Sequence, residues 1–165
     1  MLLERLESGV RLVARGSAYG GALALVGCVA VTVLDVVLRN FFGTSVFGAV
    51  EYVQLGVMWA AFLTIPLGFA YGDHIAVDVF VTRAGDGTKR VLKATNMLVA
   101  ALAMAACLWW GGAQALHALV TRDITLTAGI PLWLFWVPIL FGMGLAVVAA
   151  LVVALRAAAG WRVEA

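Results

Sequence analysis

The chain has 165 residues, of which 64% are hydrophobic and 12% are charged, and its formal net charge is +2. This composition lies outside the range of a soluble globular chain, which needs far more polar surface. The small net charge also argues against nucleic acid as a partner.

Four stretches carry no charged residue, namely residues 18–34, 53–71, 97–116 and 130–155. A hydrocarbon core about 30 Å thick is crossed by roughly 20 helical residues, and flanking residues extend the shortest stretch to that length. We therefore predict an all-α integral membrane protein. Its single membrane domain, residues 1–165, contains four transmembrane helices at about 17–38, 51–71, 92–119 and 130–155.

The basic residues are distributed unequally between the two sides of these spans. Only Arg39 and Arg122 follow the first and third spans. The other nine precede the first span, separate the second from the third or follow the fourth: Arg5, Arg11, Arg15, Arg83, Lys89, Arg90, Lys93, Arg156 and Arg162. By the positive-inside rule, both termini and the middle loop are predicted to be cytoplasmic.

The segment before the first span has its own periodicity. If the segment is helical, its apolar residues recur on one face and its charged residues take the other faces. The apolar residues are Leu2, Leu3, Leu6, Val10 and Val13. The pattern predicts either a short interfacial helix, with its arginines at anionic lipid headgroups, or a plain cytoplasmic extension of the first span.

An outer-rim charge cluster is predicted where the first span ends and the second begins. Asp35 and Arg39 are four residues apart and share a helix face, so they can pair. Glu51 enters the second span from the same side at a similar depth, and we expect it to join them. The cluster would either fix this hairpin or dock an extramembrane partner.

Three prolines mark the second and fourth spans. Pro66 lies inside the second span and Pro138 inside the fourth. Because proline has no backbone N–H, the carbonyl four residues earlier loses its helical hydrogen bond. These carbonyls belong to Phe62 and Leu134, respectively. Because no charged residue lies at the same depth, we expect bent helices rather than midplane ion sites. Pro131 is predicted to occupy the first turn of the fourth span.

An inner-loop motif follows the second span directly. If this segment is helical, His74 and Asp78 share a face beside Gly72. A metal site needs three or four ligands, so capping, helix contacts or a partner contact is the better interpretation. We predict no metal site and no cofactor.

The sequence shows no arrangement of residues that is typical of an enzyme active site. We find no nucleophile with a nearby base, no phosphate-binding glycine loop and no paired carboxylates, so an enzyme is not expected. Trp109 and Trp110 lie deep in the third span, where they would fill contacts with other spans or with a partner.

Membrane spans without a polar pathway or an active site favour an accessory subunit of a larger membrane complex. Two alternative functions are also compatible with the sequence. One is an independent small channel or proton-linked carrier that uses Asp35, Glu51 and His117 as titratable groups. The other is a membrane-embedded enzyme or metal protein centred on His74 and Asp78.

An ordered set of motifs covers most of the chain. In order they are Asp35-x-x-Leu38-Arg39, Glu51, Gly72-x-His74-Ile75-x-Val77-Asp78, Arg90, and Gly129-Ile130-Pro131 with Pro138 and Gly142. With the four-span topology, this order resembles the small membrane subunit, often called DctQ-like, of tripartite ATP-independent periplasmic (TRAP) transporters.

The resemblance implies a hetero-oligomer in a bacterial or archaeal cytoplasmic (inner) membrane. A large multi-span permease subunit would carry the solute and the coupling ions, and a periplasmic solute-binding protein would dock transiently. Family transport is secondary, usually a sodium symport, and its substrates are commonly carboxylates, so organic acid uptake is expected. The small subunit would scaffold the large one, surrounded by membrane lipids.

Overall fold

A computed structural model describes residues 2–71 and 86–158 of the chain. These residues form four helices: α1 (Leu2–Phe42), α2 (Ala49–Tyr71), α3 (Asp86–Thr121) and α4 (Trp133–Ala158). All four are long and apolar enough to cross a membrane. For the described residues, the prediction of an all-helical protein with four helices able to span a membrane is therefore confirmed.

Helix α1 is much longer than a single membrane span requires. Its 41 residues extend for about 62 Å at about 1.5 Å per residue, twice the thickness of a hydrocarbon core of about 30 Å. The amphipathic N-terminal segment therefore joins the first span without a break in the helix.

The helices lie side by side in the order α1, α2, α4, α3. Helix α1 packs along α2, α2 packs on α4 and α4 packs on α3, while α1 also touches α4. The result is a shallow layer with α2 and α4 at its centre. We call the end with the connections 43–48 and 122–132 the loop end, and the end where α1 begins and α4 finishes the terminal end.

The core between the helices consists mainly of small side chains. In the most apolar stretch of α4, 50% of the residues are buried, compared with between 11% and 22% in the other helices. Small residues let helices approach closely in a membrane, where no hydrophobic force drives them together. The buried cluster around α4 contains Ala14, Phe69, Ala70, Met97, Ala101, Ala146, Ala149, Ala150, Val153 and Ala154.

Helices α2 and α4 approach each other closely at Gly142 in α4. A Cβ atom added there would lie 2.0 Å from the carbonyl oxygen of Phe62 in α2. This carbonyl is the one that Pro66, inside α2, deprives of its helical N–H donor. The freed acceptor thus faces the backbone of α4 and is shielded from hydrocarbon, so Pro66 has a packing role that we did not predict.

Helices α1 and α2 also meet through a glycine. A Cβ atom on Gly56 would lie 2.3 Å from the Cys28 sulfur. Cys28 is only 7% exposed, and its thiol donates a hydrogen bond of 3.5 Å to the Val53 carbonyl. Cys28 is therefore a small buried residue at the contact between α1 and α2.

The start of α4 differs from the prediction. Pro131 forms an isolated antiparallel bridge with Ile124, and the Leu132 amide donates to the Asp123 carbonyl at 2.8 Å. These contacts hold Pro131 and Leu132 in the connection, so α4 begins at Trp133. The placement of Pro131 in the first helical turn was wrong, because contacts across the loop override the local preference of proline for that position.

We predict that Gly142→Ala separates α2 from α4, because its methyl group would overlap the Phe62 carbonyl. The free energy of unfolding should fall by about 1–3 kcal/mol, the usual cost of overpacking. Gly144→Ala is the matched control, because a Cβ atom at Gly144 meets nothing within 4 Å. The thermal unfolding midpoints of the two variants in detergent provide the test, and equal midpoints would contradict the packing role.

Candidate functional site

Asp35 closes the connection between α1 and α2 at the loop end. Its Oδ2 accepts a hydrogen bond of 2.8 Å from Arg39 Nη2, and its Oδ1 accepts one of 2.8 Å from the Val46 amide. The arginine side chain stays 69% exposed, while that of Asp35 is 15% exposed. The carboxylate thus ties the 43–48 connection to the last turns of α1 and leaves a cation at the surface.

Glu51 does not join this pair. Its Oε2 accepts hydrogen bonds from the Thr125 hydroxyl and the Ala128 amide, both at 2.5 Å. Its Oε1 accepts one of 2.7 Å from the Thr127 amide. The structure therefore brings Asp35 and Arg39 together but places Glu51 on the 122–132 connection, where three donors along one turn surround its carboxylate.

A close backbone contact reinforces the link between the two connections. Gly48 has a φ of +72°, and a Cβ atom added to it would lie 2.5 Å from the Ala128 Cβ. Only glycine adopts this conformation without strain and also leaves room for Ala128. We call residues 43–48 and 122–132, together with Asp35 and Glu51, the loop-end platform, because these contacts join them into one surface.

The chemistry available to the platform is structural rather than reactive. The carboxylate oxygens of Asp35 and Glu51 are occupied by backbone amides, a hydroxyl and a guanidinium. Within residues 2–71 and 86–158, no three or more His, Cys, Asp or Glu side chains are grouped to hold a metal ion. The inner-loop motif of Gly72, His74 and Asp78 lies outside the described residues, so its role stays a prediction.

A second charged cluster lies at the terminal end, and our sequence reasoning missed it. Glu7 is only 6% exposed and Arg156 only 8%. The carboxylate of Glu7 pairs with the guanidinium of Arg156 and, at 2.8 Å, with that of Arg11. The i, i+4 spacing of Glu7 and Arg11 could have suggested one of these pairs, but nothing local predicts the contact between α1 and α4.

Tyr71 links the end of α2 to the same cluster. Arg15 Nε donates a hydrogen bond of 2.6 Å to the Tyr71 hydroxyl. The guanidinium carbons of Arg11 and Arg15 lie 5.2 and 5.5 Å from the centre of the Tyr71 ring, within the range of cation–π contacts. We call Glu7, Arg11, Arg15, Tyr71 and Arg156 the terminal-end cluster, which joins three helices.

Comparison with known protein families gives a match over most of the chain. The model of the family described as tripartite ATP-independent periplasmic transporters, DctQ component, matches residues 28–160. This range extends from the middle of α1 past the end of α4 and includes the loop-end platform. No curated protein and no solved structure matches the chain.

The carboxylates of Asp35 and Glu51 should each protect a different set of backbone amides from hydrogen exchange. In Glu51→Gln we expect hydrogen exchange at the Thr127 and Ala128 amides to accelerate about tenfold, because a bond to a charged acceptor is worth about 1.5–3 kcal/mol. Asp35→Asn should instead accelerate exchange at Val46. Exchange measured by mass spectrometry tests this pattern, and identical effects of both variants would contradict two separate roles.

Glu7 should contribute more to stability than the exposed pair at the other end. Glu7→Gln removes the carboxylate that pairs with the guanidiniums of Arg11 and Arg156, and breaking a buried ion pair typically costs about 3–5 kcal/mol. Arg39→Gln is the control, because an exposed pair contributes about 1 kcal/mol or less. Chemical unfolding in detergent measures both, and a smaller loss for Glu7→Gln would contradict this role.

Proposed function

Because this chain belongs to the DctQ component family of the tripartite ATP-independent periplasmic transporters, we propose that it scaffolds the large permease subunit during ion-coupled uptake of an organic solute. The family is a transporter component, not an enzyme. The resemblance described above favours a carboxylate solute and sodium as the coupling ion. It also favours an inner membrane with both termini in the cytoplasm.

The observation that carries this proposal is the composition of the interior. Among the described residues, the buried charged side chains are Glu7 and Arg156, and both lie at the terminal end. Between the two ends, the contacts of α2 and α4 consist of backbone and small or apolar side chains. A solute or ion pathway needs polar groups at membrane depth. This interior instead suits a fixed support for a subunit that carries them.

The alternative of an independent channel or proton-linked carrier gains no support from the geometry. It would use Asp35, Glu51 and His117 as a titratable path. Asp35 and Glu51 are held by donors of the loop-end platform, and Glu51 bonds to the 122–132 connection rather than to Asp35. An anchored carboxylate at one end of the layer does not lead protons inward.

Helix α3 supplies the surface that we propose for the large permease subunit. Trp109 and Trp110 are 80% and 76% exposed, although they lie near the middle of the span Ala94–Thr121. Tryptophan is enriched at membrane interfaces, and hydrocarbon offers no acceptor for its indole N–H. A partner helix would supply one. Trp109 also lines a shallow groove on α3, together with Ala105, Leu108, Gly112, Ala113 and Leu116.

The loop-end platform is the surface that we propose for the periplasmic solute-binding protein. Arg39 is exposed at its edge, and the Leu126 side chain at the tip of the 122–132 connection is fully exposed. The bonds of Glu51 to this connection support a rigid docking surface, which loses little conformational entropy on binding.

Reconstitution separates a scaffold from a carrier. We expect liposomes with this chain alone to take up no radiolabelled dicarboxylate, keto acid or sugar acid, whereas this chain, the large permease subunit and the binding protein together take up the cognate solute in a sodium gradient. The large subunit and binding protein without this chain serve as the control. Uptake by this chain alone, or full uptake without it, would contradict the proposal.

The α3 surface can be tested by assembly. Trp109→Leu with Trp110→Leu should reduce co-purification of the large permease subunit at least tenfold, because interface tryptophans often contribute about 2 kcal/mol or more. Trp133→Leu, at the start of α4, is the matched control. Yield of the complex by size-exclusion chromatography measures the effect. Undiminished yield in the double variant would assign the partner to another face.

A further inference from the structure

The 122–132 connection between α3 and α4 folds back on itself as a short hairpin. The Thr125 amide donates a hydrogen bond of 2.9 Å to the Ile130 carbonyl, and the Ile130 amide donates one of 2.9 Å to the Thr125 hydroxyl. Next to this pair, Ile124 forms an antiparallel bridge with Pro131. The turn of the hairpin begins at Leu126, so Leu126 lies at its tip.

A single carboxylate of α2 holds this turn in place. Glu51, in the first turn of α2, accepts a hydrogen bond of 2.5 Å from the Thr125 hydroxyl. It also accepts bonds of 2.7 and 2.5 Å from the amides of Thr127 and Ala128. These donors precede and follow Leu126 in the chain. The position of Leu126 is therefore set by α2 as well as by the hairpin itself.

The two sides of the hairpin differ in polarity. In an extended chain, neighbouring side chains point to opposite sides. The Thr125 side chain reaches Glu51, whereas its neighbour Ile124 is 60% exposed and its neighbour Leu126 is fully exposed. The hairpin thus binds α2 through a polar side chain and presents apolar side chains on its other side.

The surroundings of these apolar side chains favour a protein partner over lipid. Arg122 and Asp123, directly before Ile124, are exposed, and charged side chains oppose the insertion of this segment into hydrocarbon. An apolar centre beside a polar rim is instead typical of protein–protein interfaces. Fluid acyl chains also require no fixed position of a leucine, whereas a pocket on a protein does, and the bonds of Glu51 supply that position.

We propose that Leu126 is the anchor with which the loop-end platform binds the periplasmic solute-binding protein, and that it enters an apolar pocket on that protein with Ile124 at its edge. Glu51 is a positioning residue, which holds the tip of the hairpin and does not touch the partner. Because the tip is fixed before the proteins meet, docking loses little conformational entropy. This inference rests on the docking role proposed above for the platform, and it names the side chain that makes the contact.

Binding of the solute-binding protein to the complex of this chain and the large permease subunit, held in lipid nanodiscs, tests the anchor. We expect Leu126→Ala to raise the Kd measured by surface plasmon resonance about tenfold, because burial of a leucine side chain changes affinity by about that factor or more. Leu126→Met keeps the apolar volume and should bind like the wild type. Phe42→Ala is the matched control, because Phe42 is 71% exposed at the end of α1 but lies outside the platform.

The positioning role of Glu51 is tested by a double-mutant cycle. Glu51→Gln should raise the Kd severalfold in the wild-type background but not in the Leu126→Ala background, because its effect acts through that side chain. Thr125→Ser keeps the hydroxyl that donates to Glu51 and should bind like the wild type, whereas Thr125→Val removes it and should raise the Kd severalfold. Leu126→Ala alters only an exposed side chain, so misfolding does not obscure the cycle.

The possible results separate this inference from the proposal on which it rests. An unchanged Kd in Leu126→Ala, with binding by the wild type intact, would overturn the anchor and leave docking at the platform standing. A lower yield of the complex with the large permease subunit in Leu126→Ala would assign the side chain to that subunit and would also overturn it. Additive effects of Glu51→Gln and Leu126→Ala would overturn the positioning role. No binding by the wild-type complex would contradict docking itself.

Discussion

The contact between the Phe62 carbonyl and the backbone of Gly142 fixes the position of the two central helices, and the rest of the layer is placed by them. In hydrocarbon, helices gain little by hiding apolar surface, so they associate where their backbones can come close. Pro66 removes the helical donor of one carbonyl, and Gly142 leaves room for that carbonyl at the crossing. Helix α1 then packs on α2, and α3 packs on α4, which gives a layer rather than a closed bundle.

Among the described residues, the ion pairs and bonded carboxylates of this layer lie at its two ends. At the loop end, Asp35 and Glu51 each hold a different connection through backbone amides. At the terminal end, Glu7 pairs with arginines of α1 and α4, and Tyr71 accepts a hydrogen bond from an arginine of α1. Charged groups cost least near water and headgroups and most at the bilayer centre. The middle of the layer can therefore pack tightly through small residues while its ends are fixed by directional bonds.

These properties suit a subunit that supports others. A shallow layer leaves apolar helix faces for a partner as well as for lipid, and the mid-span tryptophans of α3 distinguish one face from the rest. The platform lies at the opposite end of the layer from the terminal-end cluster, and hydrogen bonds to Asp35 and Glu51 hold its two connections. In a chain of the DctQ family, these are the two surfaces that we propose for the large permease subunit and the periplasmic solute-binding protein.

The sequence alone determined the features that depend on composition or on spacing within one helix. These are the four spans, the Asp35–Arg39 pair and the order of motifs that indicated the family. The tertiary structure decided the contacts between distant residues: Glu51 with Thr125, 74 residues away, Glu7 with Arg156, and Phe62 with Gly142. It also moved Pro131 out of α4. Helix geometry fixes which neighbours share a face, whereas the rotation and register of one helix against another depend on all their contacts together.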